Sequence, residues 1–297
     1  MNELPIVVTC TDRKASPPQA SLQARTLPAG DLPQRATQWA HRLRTAQTKQ
    51  MALEDLYQGD QWRRALALTD AASRAGFTPR LYVASAGLGL RPVSSLAPSY
   101  AATFLPRHAD SVASSSAQTT LWWDHLQLLD GTSDLPRIAT AAGRALVVLS
   151  APYGQAMHHD LLALAATDTD VVLIGGATNL DGMLRVPANA ALRQTLGGTL
   201  TSLNVRMAAS WLEHCTPGRL TDPQAQARWH QWASQAARLE RYDRTPVSDE
   251  IVIAFIQEMK LLHPDSSRTR LLRLFRDKGM ACEQKRFAGL YTSTIGR

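Results

Sequence analysis

No run in the sequence approaches the roughly eighteen consecutive apolar residues that a membrane-spanning helix needs, so no membrane partner is expected. Cysteine is scarce. Three residues, Cys10, Cys215 and Cys282, are too few and too scattered for a disulfide framework or a cysteine-only zinc site. The histidines show no metal-ligand spacing; His158 and His159 are adjacent and so do not share one helix face. The phosphate-binding pattern Gly-x-x-x-x-Gly-Lys-Ser/Thr is missing, and Gly87-x-Gly89 lacks the third glycine of a dinucleotide fingerprint. No Gly-x-Ser-x-Gly nucleophile elbow occurs. Neither a metal nor a cofactor is therefore expected. Residues 1–10 lack the basic start of a signal peptide, which points to a cytoplasmic protein.

Acidic residues are outnumbered, 25 against 32 basic ones, for a net charge of +7. The excess sits at the ends. Residues 261–297 hold eight bases against three acids (+5), residues 1–50 hold seven against three (+4), and the stretch between them sums to −2. That distribution favours an acidic partner, most often nucleic acid. With 44 % hydrophobic and 19 % charged residues, the chain has the balance of a folded globular protein.

Short continuous apolar runs predict buried strands at Pro5–Thr9, Arg80–Ser85, Arg144–Ser150 and Asp170–Ile174, with a fifth at Thr199–Asn204. Helical patterns fall at Leu32–Thr48, Trp62–Ala75, Thr119–Leu129, His158–Ala166 and up to His214. The segments 15–33 and 91–116 read as loops. Strands alternating with helices indicate a parallel sheet covered on both faces, in which ligands bind just beyond the carboxyl ends of strands. Here those segments are Cys10–Lys14, Ser85–Gly89, Ser150–Gly154 and Gly175–Asn179. Cys10 at a strand end reads either as a nucleophile or as a small packed residue.

Beyond a helical stretch at Asp222–Arg241, helices are expected at Asp249–Leu262, Arg268–Lys278 and Cys282–Tyr291, with Gly279 as the turn between the last two. That is the outline of a helix-turn-helix, with Gln284, Lys285 and Arg286 near the start of the would-be recognition helix and Arg268, Arg270 and Arg273 beside them. The alternative is a small helical cap. The expected organisation is an α/β catalytic domain over 1–215, a helical connector over 216–245 and a DNA-binding domain over 246–297.

Four motifs read together carry a resemblance: Val7-Val-Thr-Cys-Thr-Asp-Arg-Lys14, Ala52-Leu-Glu-Asp-Leu-Tyr-Gln-Gly-Asp-Gln-Trp62, Leu81-Tyr-Val-Ala-Ser-Ala-Gly-Leu-Gly89 and Ala97-Pro-Ser-Tyr-Ala-Ala-Thr-Phe104. In order and spacing, residues 5–105 resemble bacterial families related to the peroxide-stress protein YaaA and to domains attached to archaeosine-type tRNA transglycosylases, whose folds are similar to the uracil-DNA-glycosylase class. The chain departs from that pattern with Gly59 where serine is usual, Gly87-Leu88 where a lysine-aromatic pair is usual, and Ala101 where an aspartate follows the tyrosine.

The resemblance implies a uracil-DNA-glycosylase-like α/β fold and cleavage of an N-glycosidic bond. With the C-terminal helices it implies a double-stranded DNA substrate: a glycosylase that removes a modified base, such as glucosylated hydroxymethylcytosine in phage DNA, in antiphage defence. The alternatives are base exchange, non-enzymatic DNA binding and nucleotide sensing. Cleavage builds positive charge on the sugar, which a carboxylate can stabilise, and the base must be flipped into a pocket. Asp12 is the first candidate for that carboxylate and Asp55 the second. Cys10 and Thr11 are expected at the pocket, with Tyr57 and Tyr100 stacking on the base and Ser85 and the Gly87 amide donating to it. Arg13 and Lys14 are expected to hold flanking phosphates.

Overall fold

The computed structural model describes residues 2–238 and 245–296. They divide into two compact units, Met1–Arg238 and Leu239–Arg297.

The first unit is built on a six-stranded sheet: β1 (Glu3–Thr9), β2 (Thr78–Ser85), β3 (Gly89–Pro92), β4 (Arg144–Leu149), β5 (Asp170–Gly175) and β6 (Leu184–Val186). The spatial order is β3-β2-β1-β4-β5-β6. All neighbouring pairs are parallel except β2 with β3. The chain moves from β1 to one side, then returns to lay β4 on its other side, so the order of winding reverses between β1 and β4. That reversal opens a crevice at the carboxyl ends of those two strands.

The central strands are apolar on both faces because helices cover both. Ile6, Val7, Leu146, Val147, Val172 and Ile174 are all fully buried, each worth about 1.5–3 kcal/mol relative to exposure. The covering helices begin on side chains that accept the free amides of the first turn. Asp31 caps Leu32–Thr45, Ser115 caps Ser116–Leu126 and Asp134 caps Leu135–Ala142.

The four longest parallel strands lie where their apolar runs place them. The expected fifth strand at Thr199–Asn204 is instead a helix start. Thr199 and Ser202 form a reciprocal capping box, a 3-10 turn spans Leu200–Ser202, and the helix Leu203–His214 follows directly. The helix expected over Trp62–Ala75 is two short ones, Asp60–Leu66 and Leu68–Arg74, meeting at Ala67. The segment expected as loop over 91–116 contains the end of β3 and Leu96–Ala97, which pairs antiparallel with Met51–Ala52. The helix Pro223–Ala236, expected in a connector, buries Ala225 and Trp229 in the first unit, which runs through Arg238. The expected extension of that helix to Arg241 falls on 239–241, outside the described residues.

The second unit carries the helices Asp249–Leu262, Arg268–Asp277 and Gln284–Ile295 around a core of Val252, Phe255, Ile256, Leu271, Phe275 and Phe287. Met280–Ala281, after the Gly279 turn, pairs in parallel with Thr245–Pro246.

Candidate functional site

A cavity of about 480 Å³ opens at the carboxyl ends of β1 and β4, at the point of reversal. Its walls include Cys10, Thr11 and Asp12 after β1, Ser150, Pro152 and Tyr153 after β4, and Asn204 from the helix Leu203–His214. Phe104 and Tyr153 form an aromatic wall, edge to face with centroids 5.0 Å apart. Asn204 donates to the Leu149 carbonyl at 2.8 Å, and Gln61 donates to the Thr9 hydroxyl at 3.0 Å, so both amides are held in place by the strand ends. Gly59 lines the same cavity with φ at +107°, a backbone state that L-residues rarely adopt, which is why a glycine stands there.

Two carboxylates line this cavity. Asp60 is committed to Arg206 at 2.9 Å, and that bond holds its carboxyl below the usual range. Asp12 has no hydrogen-bond or ion-pair partner among the described residues for its exposed carboxylate. Its loop is pinned from both sides. The Ala15 amide donates to the Leu56 carbonyl at 2.8 Å and the Gln58 amide to the Arg13 carbonyl at 2.9 Å. Lys14 Nζ donates to the Thr11 and Asp12 carbonyls, both at 3.1 Å, and lies 4.5 Å from the centre of the Tyr100 ring. Burial lowers the Lys14 ammonium from its usual range, while Cys10, Asp12 and Asp110 pull it back up.

Asp12 also borders a second cavity of about 370 Å³, with Lys14, Arg25, His108, Tyr100 and Asp110 in its lining. Asp110 is buried and takes Arg25 in a two-pronged ion pair, Nε at 2.9 Å and Nη2 at 2.5 Å.

Behind the cavities runs a buried chain of hydroxyls. Ser85 Oγ accepts the Gly87 amide at 3.1 Å and the Leu88 amide at 3.0 Å. With both lone pairs taken, its own hydrogen goes to the Tyr100 oxygen at 2.5 Å. Tyr100 in turn lies 2.6 Å from the Tyr57 hydroxyl. Burial pushes the Tyr57, Tyr100 and Tyr153 phenols up, and charge on Cys10 would add to that, so all three stay neutral.

These contacts sort the residues singled out in the sequence. Cys10, Thr11 and Asp12 line the main cavity and Lys14 the second, as expected of a strand end. Tyr57 and Tyr100, expected to stack on a base, are fully buried and spend their hydroxyls on each other. Ser85 and the Gly87 amide, expected as donors to a ligand, are bonded to one another instead, and the Gly87 carbonyl accepts from Trp39 Nε1 at 2.8 Å. Asp55 is exposed on the short helix Leu53–Leu56, outside the lining of either cavity, as is Arg13. Phe104, Tyr153, Asn204, Gln61 and Asp60 were not among the expected site residues. Tyr153 lies in one of the segments after a strand where ligand contact was expected.

In the second unit, Arg268, Arg270, Arg273, Gln284 and Lys285 are exposed. Arg286 is engaged. Its Nε donates to Asp249 at 2.7 Å and its Nη2 to the Val247 carbonyl at 3.0 Å, which ties the last helix to the start of the first helix of that unit. Glu283 caps the last helix by accepting the Lys285 and Arg286 amides.

No protein-family model, curated protein or solved structure matches the chain. The structure defines a mixed α/β protein with a mostly parallel central sheet and a cleft at its winding reversal. Among the described residues no helix is long and apolar enough to cross a membrane.

Proposed function

We propose that the chain is a DNA N-glycosylase, a hydrolase that removes a modified base from duplex DNA and leaves an abasic site. The observation that carries this reading is the unpaired Asp12 carboxylate at the mouth of an aromatic-walled cavity beyond β1. The resemblance of residues 5–105 to the uracil-DNA-glycosylase class supports it, and we read the sheet as that fold. Charge in the second unit supports a nucleic-acid substrate, with residues 246–297 acting as a helix-turn-helix arm.

In this reading the nucleotide leaves the stack and its base enters the main cavity against Phe104 and Tyr153. Asn204, Gln61 and Thr103 are available to its polar edges. The Asp12 carboxylate stands where positive charge grows on the sugar, or orients the water that attacks it. Water bonds to the sugar carbon as the base leaves, and the base departs with the proton that water gives up. A cavity of this size admits a base with a sizeable substituent, in keeping with glucosylated hydroxymethylcytosine.

The test is base release from duplex DNA carrying glucosylated hydroxymethylcytosine, read as abasic sites. Asp12→Asn keeps the shape and loses the charge, so release should fall by about 10²–10⁴ while DNA binding persists. Release at the wild-type rate by Asp12→Asn, or no release by the wild type from any modified-base DNA, overturns the reading.

A further inference from the structure

A third cavity in the first unit shares no lining residue with the two cavities of the candidate site. It has a volume of about 370 Å³, at the small end of the range for ligand pockets. Its walls come from the helix Leu32–Thr45, the turn between β2 and β3, the segment Leu96–Pro98 and the end of the helix Ser116–Leu126.

Its lining has two parts. The apolar part includes Leu43, Leu88 and Leu129, with Leu96 and Leu128 left 66 % and 81 % exposed. Leucines that open to water around a concavity are the usual mark of a surface that something apolar covers. The polar part is cationic. Arg44 is exposed and its guanidinium has no partner among the described residues. Arg91 spends Nε on the Leu88 carbonyl at 3.0 Å and Nη2 on the Asp130 carbonyl at 2.7 Å, which leaves Nη1 without a bond among the described residues. Burial holds the Arg91 guanidinium below its usual range, with Tyr57, Asp130 and Tyr100 opposing, and an anion beside it would offset that cost. The Asp130 carboxylate is the one acidic group in the lining, against two guanidiniums.

His125 completes the lining at the end of the helix Ser116–Leu126.

We infer that this cavity binds a small amphipathic anion, a molecule with an apolar body and a carboxylate or similar head. The body lies along Leu43, Leu88 and Leu129, and the head is held by Arg44 and Arg91. This site stands apart from the glycosylase reading and does not depend on it.

Octanoate is the probe, titrated calorimetrically into the full-length chain, with octan-1-ol as the neutral comparator. The expected result is saturable binding of octanoate, with octan-1-ol at least about tenfold weaker because it lacks the charge. Arg44→Glu should weaken octanoate by about tenfold or more. The exposed, unpaired position of Arg44 leaves the fold intact, which the thermal melt verifies. Ala40→Trp, which fills the cavity from the half-buried edge of the first helix, should abolish binding. Absence of saturable octanoate binding, equal binding of octan-1-ol, or wild-type affinity in Arg44→Glu overturns the proposal.

Discussion

The Tyr153 hydroxyl lies 3.1 Å from the Cys10 sulfur and accepts the Ala86 amide hydrogen at 3.2 Å. One phenol therefore joins the segments that follow β4, β1 and β2. The first two of those segments carry Pro152 and Asp12 of the main cavity's lining, so its rim is set by a buried hydroxyl as well as by the sheet. Cys10 at this point is a bonded member of the rim.

Tyr153→Phe removes the hydroxyl and keeps the ring. The Ala86 amide is then buried without an acceptor, at a cost of about 1–3 kcal/mol. Urea unfolding should show that loss. A change below about 0.5 kcal/mol would mean that the amide finds another acceptor and that the rim does not depend on the phenol.

Gly87→Ala should be worse than its size suggests. A Cβ at Gly87 would sit 2.4 Å from Tyr100 Cε2 and 2.6 Å from Cδ2. Tyr100 cannot retreat freely, because its hydroxyl is bonded to Ser85 and its ring carries Lys14. Overpacking of this kind costs about 1–3 kcal/mol. Gly59→Ala is the informative contrast, since nothing lies within 4 Å of the added methyl and only backbone strain opposes it. If calorimetric melting shows Gly87→Ala to be no less stable than the wild type, the Tyr100 ring is more mobile than its bonds imply.

How much of this was legible in the sequence depends on the length scale of the signal. The runs Ile6-Val-Val and Val171-Val-Leu-Ile were legible because a strand buried on both faces needs every side chain apolar. β6 was not, since Leu184-Arg-Val is too short to carry a period. The error at Thr199–Asn204 has a local cause. Thr-Leu-Thr-Ser-Leu mimics strand alternation, yet Thr199 and Ser202 are three apart and cap each other's backbone. The position of Asp12 at a cavity rim was legible because it follows a strand. The burial of Tyr57 and Tyr100 was illegible, because it arises from partners 43 and 15 positions away in the chain. Tyr153 was missed where Ser150-Ala-Pro152 could have announced a helix start rather than a turn.

Asp110 gives a pH signature. Burial alone would push its carboxyl up, but the hydrogen bonds and charge of Arg25 more than offset this, and the group titrates below its usual range. A carboxyl whose folded value is depressed contributes its full stability above the unfolded value, near pH 4. It loses that stability as the pH falls through the folded value. Asp110→Asn should therefore melt at a lower temperature than the wild type at pH 7, with the gap closing below about pH 4. A gap that stays constant from pH 7 to pH 3 would show that Arg25 contributes packing rather than charge.

The last prediction concerns the second unit and tests the DNA arm apart from the chemistry. Arg270 and Arg273 project from the helix Arg268–Asp277, on the side away from its buried Leu271, Leu272 and Phe275. Arg273 has Asp277 at 3.9 Å, a loose surface pair that a phosphate can outcompete. Each phosphate contact releases about 0.9 of a counterion, so each sets that much of the slope of log affinity against log salt. Arg270→Gln with Arg273→Gln should lower the magnitude of that slope for duplex DNA by about 1.8. The melting of the protein should not change, because neither side chain is part of the core. Arg286→Gln should behave in the opposite way. It breaks the bonds to Asp249 and the Val247 carbonyl, so it should loosen the second unit and lower its unfolding temperature. Its effect on the salt slope should be small if that unit remains folded. Fluorescence anisotropy with a labelled duplex over a series of salt concentrations measures both. An unchanged slope in the double variant would remove these arginines from the DNA interface and leave the three helices as a structural cap.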